Sequence, residues 1–131
     1  MLYENGFLRY IRFGDAEVIR MIYFAVRDHN WDTIEGEISQ EKIEVGKDHF
    51  KISYTSMHYR DPVDIRFQCR IEGDAEGRIS FSLDGISGGT FQRNRIGFCI
   101  LHPVEECFGK SCLIGHPDGS NTRSHFPELI S

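Results

Sequence analysis

The sequence has few of the residues that form helices best. Ala and Leu together number 9 among the 131 residues, whereas Ile and Val number 20 and the aromatic residues 16. Branched and aromatic side chains suit a pleated sheet better than a helix. The composition therefore argues against an all-helical fold and favours a β-rich one.

Long apolar runs and concentrated positive charge are also absent. The longest apolar run, residues 21–26, is far too short to span a bilayer, and the N-terminus lacks the basic and apolar regions of a signal peptide. The net charge is −5, and no basic patch suited to a phosphate backbone is visible. We therefore predict a cytoplasmic protein that binds neither nucleic acid nor membrane and keeps its four cysteines as free thiols.

Signatures of catalysis and metal binding are weak. The sequence contains no G-x-S-x-G motif of the kind that places a nucleophilic serine on a sharp turn. Five potential zinc ligands occur near the C-terminus, but their spacing is poor for a tetrahedral site. They are Cys99, His102, Cys107, Cys112 and His116. We predict neither a metal nor a cofactor.

Alternating apolar and polar residues predict a series of short strands. The clearest set runs from Val63 to Ile71, and Asn5-Gly6 is a strong hairpin signal between residues 1–4 and 7–13. Residues 17–27 are compatible with a helix, but their branched and aromatic content favours a central strand. Further strands are predicted over residues 34–45, 49–58, 78–84, 95–102, 112–115 and 122–126, and residues 85–89 are predicted to form a glycine-rich turn with unusual φ angles.

These elements predict an all-β fold in a single domain over residues 1–131. Eight to ten short strands at hairpin spacing indicate an antiparallel β-sandwich or barrel. We favour the sandwich, with a galactose-mutarotase-like arrangement as one form of it.

The polar segment around Trp31 has the most binding character. In this segment, which runs from Asp28 to Asp32 and adjoins Arg27, the tryptophan can stack on the face of a sugar while the neighbouring carboxylates accept hydrogen bonds from its hydroxyl groups. The alternative, which the residues favour, is that Trp31 caps an open end of the core.

His102 and Arg95 are weaker candidates. His102 is predicted to stand at the end of a strand, close to Glu105, where it suits a general base, a hydroxyl-binding group or an acid–base pair of mutarotase type. A histidine satisfied by backbone groups is the more frequent case. Arg95 suits a carboxylate or sugar hydroxyls, but a surface ion pair explains it equally well.

Three stretches of the chain resemble the N-terminal β-sandwich domain of the D-apionate lactonase family. The first covers residues 17–33 and includes Ala25-Val26-Arg27-Asp28, Trp31 and Thr33; the second is Asn94-Arg95-Ile96-Gly97-Phe98-Cys99-Ile100-Leu101-His102-Pro103; the third runs from His116-Pro117-Asp118-Gly119-Ser120 to Ile130-Ser131. Together they span most of the chain.

The resemblance implies a bacterial carbohydrate-catabolic protein that hydrolyses the lactone of an oxidised branched pentose. It implies further domains after this one, with catalysis in the middle domain, so that this segment is inactive alone and is the N-terminal part of a longer protein. Arg27, Trp31, Arg95 and His102 match family motif positions, and no catalytic residue is assigned. The expected partners are the remaining domains and a sugar acid or sugar lactone; a carbohydrate-binding module and a homodimer stay open as alternatives.

Overall fold

The computed structural model describes residues 1–128, and most of them lie in strands. Ile130 and Ser131, which end the third stretch of the resemblance, lie outside the described residues. In chain order the elements are β1 (Leu2–Glu4), β2 (Phe7–Phe13), β3 (Ala16–Asp28), β4 (Gly36–Val45), β5 (Phe50–Arg60), β6 (Val63–Gly73), β7 (Ile79–Ser87), β8 (Arg93–Leu101), α1 (Val104–Cys107), β9 (Ser111–Gly115) and β10 (Asn121–His125).

The strands of the described part form three antiparallel sheets. Two have four strands each, in the orders β1-β2-β3-β8 and β4-β5-β6-β7, and the third is the β9–β10 hairpin. This confirms the predicted all-β antiparallel class. The single-domain assignment and the galactose-mutarotase-like arrangement stay predictions. Between residues 1 and 128, no helix has the length and the apolar character needed to cross a membrane.

Local sequence signals account for several of these elements. Asn5 and Gly6 adopt φ angles of 48° and 80°, as a type I′ turn requires, and Glu4 pairs with Phe7 across it. The ambiguous segment 17–27 is the strand β3, between β2 and β8 in its sheet. This confirms the prediction of a central strand, which was based on the branched and aromatic side chains of the segment, over the helical alternative.

The glycine-rich turn predicted over residues 85–89 is wrong in its bounds and in its φ angles, because β7 continues to Ser87 and only residues 88 and 89 form a bend. Gly85 lies inside β7 and pairs with Phe67 of β6, and none of the glycines in this stretch has a positive φ. A Cβ at Gly85 would stand 2.4 Å from the Phe67 ring. Close approach of an aromatic ring, rather than unusual backbone geometry, explains this glycine.

The chain divides into two compact units, which we call unit 1 (Met1–Tyr23 with the chain from Cys99 onward) and unit 2 (Phe24–Phe98). The division falls within β3 and within β8. Each unit is described separately below.

Unit 2 contains a well-packed sandwich core. Phe24 of β3 meets Phe67 of β6 edge to face at 4.5 Å between ring centroids, and Phe98 of β8 meets Phe81 of β7 at 5.5 Å. Strands of two different sheets therefore pack face to face within this unit. The inward row of β6 is almost completely buried: Val63, Ile65, Phe67, Cys69 and Ile71.

Unit 1 buries much less apolar surface. Among its described residues, Leu8 and Ile11 are the buried branched aliphatic side chains. Phe7 stacks on Tyr23 at 5.3 Å, and Arg20 lies over the ring of Tyr10, 5.4 Å from its centroid. The β9–β10 hairpin and the one-turn helix α1 complete the unit.

Candidate functional site

The connection between β3 and β4 is a tightly bonded loop. The carboxylate of Asp28 accepts hydrogen bonds from the amides of Asn30 at 2.9 Å and Asp32 at 3.1 Å. The Asp28 amide donates to the Asp32 carbonyl at 3.0 Å, and the Trp31 amide donates to the Asp28 carbonyl at 3.1 Å. This pattern follows from the short aspartate side chain, which bonds to the backbone just after itself.

Two arginines hold the loop from outside. Arg60, the last residue of β5, lies 2.8 Å from the Asp28 carboxylate and 3.7 Å from that of Asp32. Arg27 donates to the Thr33 hydroxyl at 3.1 Å and to the Trp31 carbonyl at 3.4 Å. Desolvation acts to raise the pKa of Asp28, but the amide hydrogen bonds and Arg60 together lower it below its ordinary value.

Trp31 is presented to solvent by this loop. Its side chain is 57% exposed, and its φ is +69°, a left-handed conformation that is rare for a bulky residue. The interpretation of Trp31 as a cap on the core is therefore wrong. A strained, hydrogen-bonded loop that exposes an indole is a reasonable platform for stacking on a ligand.

A buried Ser–His pair, which sequence reasoning missed, supports the same loop. His58 is 5% exposed; its Nδ1 lies 2.8 Å from the Ile34 carbonyl, and its Nε2 lies 2.9 Å from the Ser56 hydroxyl. Because a carbonyl only accepts, we assign the proton to Nδ1, so that Ser56 donates to Nε2. The alternation of β5, with Ile52 and Tyr54 facing inward, places Ser56 and His58 on the core face and could have revealed the pair.

The chemistry open to this pair is limited by its surroundings. The rings of Phe24 and Phe67 both lie 5.8 Å from the His58 ring. Burial lowers the pKa of His58, and the Ile34 carbonyl and the charge of Glu35 only partly oppose this. A neutral imidazole enclosed by aromatic rings acts here as a structural link that fixes Ile34, just after the Trp31 loop.

A second polar feature lies at the bulge of β4. Gln40 has a φ of +54°, and its side-chain oxygen accepts from the buried Thr55 hydroxyl at 3.1 Å. Thr55 in turn accepts from the Gln68 amide at 3.0 Å. A depression of about 480 Å³ opens here. β4 is an edge strand, and its bulge interrupts the backbone hydrogen bonds to β5. The side-chain hydrogen bonds through Gln40 connect the two strands at this point, so the arrangement has a structural explanation.

The other two predicted site residues, Arg95 and His102, lie far from the Trp31 loop in the sequence. Arg95 is an exposed residue of β8 in unit 2. His102 is an exposed residue of unit 1, and its ring lies 5.1 Å from that of Phe126. Within the described residues no hydrogen bond or ion pair joins His102 to Glu105. The roles of Arg27, Trp31, Arg95 and His102 in binding stay predictions.

The described part of the structure contains no disulfide and no metal cluster. No disulfide joins any two of Cys69, Cys99, Cys107 and Cys112. Burial raises the pKa of the Cys69 thiol to about 11, and the hydrogen bond with Tyr54 only partly opposes this. No group of three or more potential metal ligands comes together among residues 1–128.

Comparison with known proteins places the chain in a family. The family model that describes the D-apionate lactonase N-terminal domain matches residues 1–131 of this chain. A D-apionate lactonase of Brucella anthropi is 30% identical over 128 residues, which cover 97% of this chain and 21% of that relative. The chain thus spans about a fifth of the relative's length, and no solved structure matches it. The resemblance of the sequence motifs is confirmed: the chain belongs to the D-apionate lactonase N-terminal domain family.

Proposed function

We propose that this domain serves a sugar-lactone hydrolase as a non-catalytic part that flanks the substrate through the Trp31 loop. The similarity to a protein named D-apionate lactonase supports the hydrolase, and the exposed indole of Trp31, on a hydrogen-bonded loop, carries the contact with substrate. The proposal includes a bacterial, cytoplasmic setting in carbohydrate catabolism.

The loop suits a polyhydroxylated acid or its lactone on chemical grounds. An indole face offers apolar contact to the C–H groups of a sugar ring. Arg27 bonds the backbone carbonyl of Trp31 and the Thr33 hydroxyl through one of its terminal nitrogens, and its other N–H groups are suited to a carboxylate or hydroxyl oxygen. Arg60 is committed to Asp28 and Asp32, so that its part is to hold the loop.

Hydrolysis assays test the division of labour. The 131-residue chain and the full-length polypeptide that contains it are each given the lactone of D-apionate, and acid release is followed. We expect turnover by the full-length polypeptide and none by the chain above the uncatalysed rate. Turnover by the chain alone would overturn its non-catalytic role, and no turnover by the full-length polypeptide would overturn the lactonase assignment.

A carbohydrate-binding module that works on its own is the second candidate, and the exposure of Trp31 favours it. Trp31 is the single tryptophan of the chain, so its fluorescence reports on this loop alone. Titration of the chain with aldonates and their lactones should shift the emission if the domain binds them independently. An emission that stays constant up to the millimolar range, where weak ligands bind, argues against this candidate.

A further inference from the structure

Residues 100–114 of unit 1 expose all of their large apolar side chains. We call this the 100–114 surface; it comprises Ile100, Leu101, Val104, Phe108, Leu113 and Ile114, with exposed fractions between 42% and 65%. In unit 2 the inward side chains of β6 are exposed by 8% or less. The contrast shows that this chain can bury its apolar residues where a partner sheet covers them.

The segment is nevertheless regular. The Phe108 amide donates to the Val104 carbonyl at 2.8 Å, and the Lys110 amide donates to the Cys107 carbonyl at 2.9 Å. Pro103, which precedes α1, is fully buried and anchors the segment. The side chains are therefore displayed by ordered backbone.

The β9–β10 hairpin leaves both of its faces exposed. Leu113 pairs with Arg123 and Ile114 pairs with Thr122, so the two apolar side chains point to opposite faces of the ribbon. They are 65% and 45% exposed. A two-stranded ribbon has little stability in water unless something packs against it.

The size and rim of the surface fit a protein interface. Its six side chains together expose on the order of 500 Å², an area that is divided between the two faces of the β9–β10 ribbon and the neighbouring α1 turn. That is more than half of the roughly 800 Å² that each partner contributes to a standard interface. Glu105 and Lys110 stand among the apolar residues and are exposed, as charged groups at an interface rim are.

We propose that the 100–114 surface docks the remainder of a lactonase polypeptide. The argument for this occupant is length: the Brucella anthropi relative extends well beyond the matched segment, which is 21% of it. Such a remainder is large enough to cover the surface from both sides of the hairpin. The inference rests on the proposed function for its occupant, but its test does not depend on activity.

Hydroxyl-radical footprinting of side chains tests the docking. The 131-residue chain and the full-length polypeptide are labelled under the same conditions, and the labelling of Phe108 and Leu113 is compared with that of Ile86. Ile86 is the matched control, since it is 78% exposed and belongs to unit 2. In the full-length polypeptide, labelling of Phe108 and Leu113 should fall by about tenfold relative to Ile86, as at the dry core of an interface.

Further arms separate the occupants. The variant Leu113→Arg should restore labelling of Phe108 in the full-length polypeptide, while Ile86→Arg should not. Equal labelling in the two proteins would overturn the proposal. If Phe108 and Leu113 are labelled weakly relative to Ile86 in the 131-residue chain, and this protection disappears on dilution, a second copy covers the surface instead. If the protection is the same at every concentration, the 131-residue chain covers the surface itself. If the full-length polypeptide shows the protection but does not hydrolyse the lactone, the lactonase function would be overturned while the docking proposal would be supported.

Discussion

At the scale of single residues, two side chains near the end of β5, the buried His58 and the exposed Arg60, decide how the Trp31 loop is held. His58 bonds the Ile34 carbonyl and Arg60 bonds the Asp28 carboxylate. The two residues are two positions apart and so lie on the same face of the strand. The loop that exposes Trp31 is thus fixed at both of its ends by one strand.

The buried imidazole predicts a stability that falls on acidification. Because burial lowers the pKa of His58 in the folded protein below its ordinary value of 6.5, the unfolded chain takes up the proton first as the pH falls. The contribution is complete above pH 6.5 and is lost progressively below it, until the folded-state pKa is passed. Urea unfolding between pH 8 and pH 5 measures this.

His58→Leu isolates that contribution. The variant should lose about 1–3 kcal/mol at pH 8, because the Ile34 carbonyl is left buried without a donor. Its stability should fall less steeply than that of the wild type between pH 7 and pH 5. His29→Leu, at an exposed position, is the control and should keep the wild-type slope. Equal slopes for His58→Leu and the wild type would contradict the assignment.

Gly36 leaves the space that the buried pair occupies. A Cβ at this position would stand 2.6 Å from the Ser56 hydroxyl and 2.7 Å from the His58 ring. Gly36→Ala should therefore destabilise the protein by about 1–3 kcal/mol through overpacking. Gly97→Ala is the matched control in another strand, since a Cβ there meets nothing within 4 Å. Thermal or urea unfolding measures the stability of both variants. Equal stabilities would contradict the prediction and would mean that Ser56 and His58 can shift to make room without a loss of stability.

At the scale of elements, the β3–β4 loop behaves as a pre-ordered unit held by Arg60. Arg60→Gln weakens the contacts to Asp28 and Asp32 and should let the indole of Trp31 move more freely. Time-resolved fluorescence anisotropy of the single tryptophan should then show a larger fast component. Arg66→Gln, on the outward face of β6, is the control and should leave the decay unchanged. An unchanged decay in Arg60→Gln would mean that the loop keeps its order without this contact.

Elements with a local signal could be predicted, and contacts across the fold could not. The Asn5-Gly6 turn and the alternating row from Val63 to Ile71 follow from backbone preference and from period-two burial. Gly85 was misread because its reason is the ring of Phe67, which lies on a neighbouring strand. The clamp of Arg60 on Asp28 joins residues 32 positions apart, and no short-range pattern indicates it.

At the scale of the whole molecule, the two units differ in how completely they are packed. Unit 2 has an aromatic core between strands of two sheets, whereas unit 1 displays the 100–114 surface. The family resemblance was readable from the motifs around Trp31 and His102. The exposure of Trp31 was not, because a tryptophan in a polar loop more often caps a core, and only its surroundings in the fold show otherwise.

Steady-state kinetics of the full-length polypeptide with Trp31→Ala show whether Trp31 contacts the substrate without taking part in catalysis. The loss of one stacking contact should raise KM for the lactone of D-apionate by about tenfold, equivalent to about 1.4 kcal/mol. The value of kcat should stay close to that of the wild type, and Ile86→Ala should leave both constants unchanged. An unaltered KM in Trp31→Ala, or a loss of kcat at constant KM, would contradict the account.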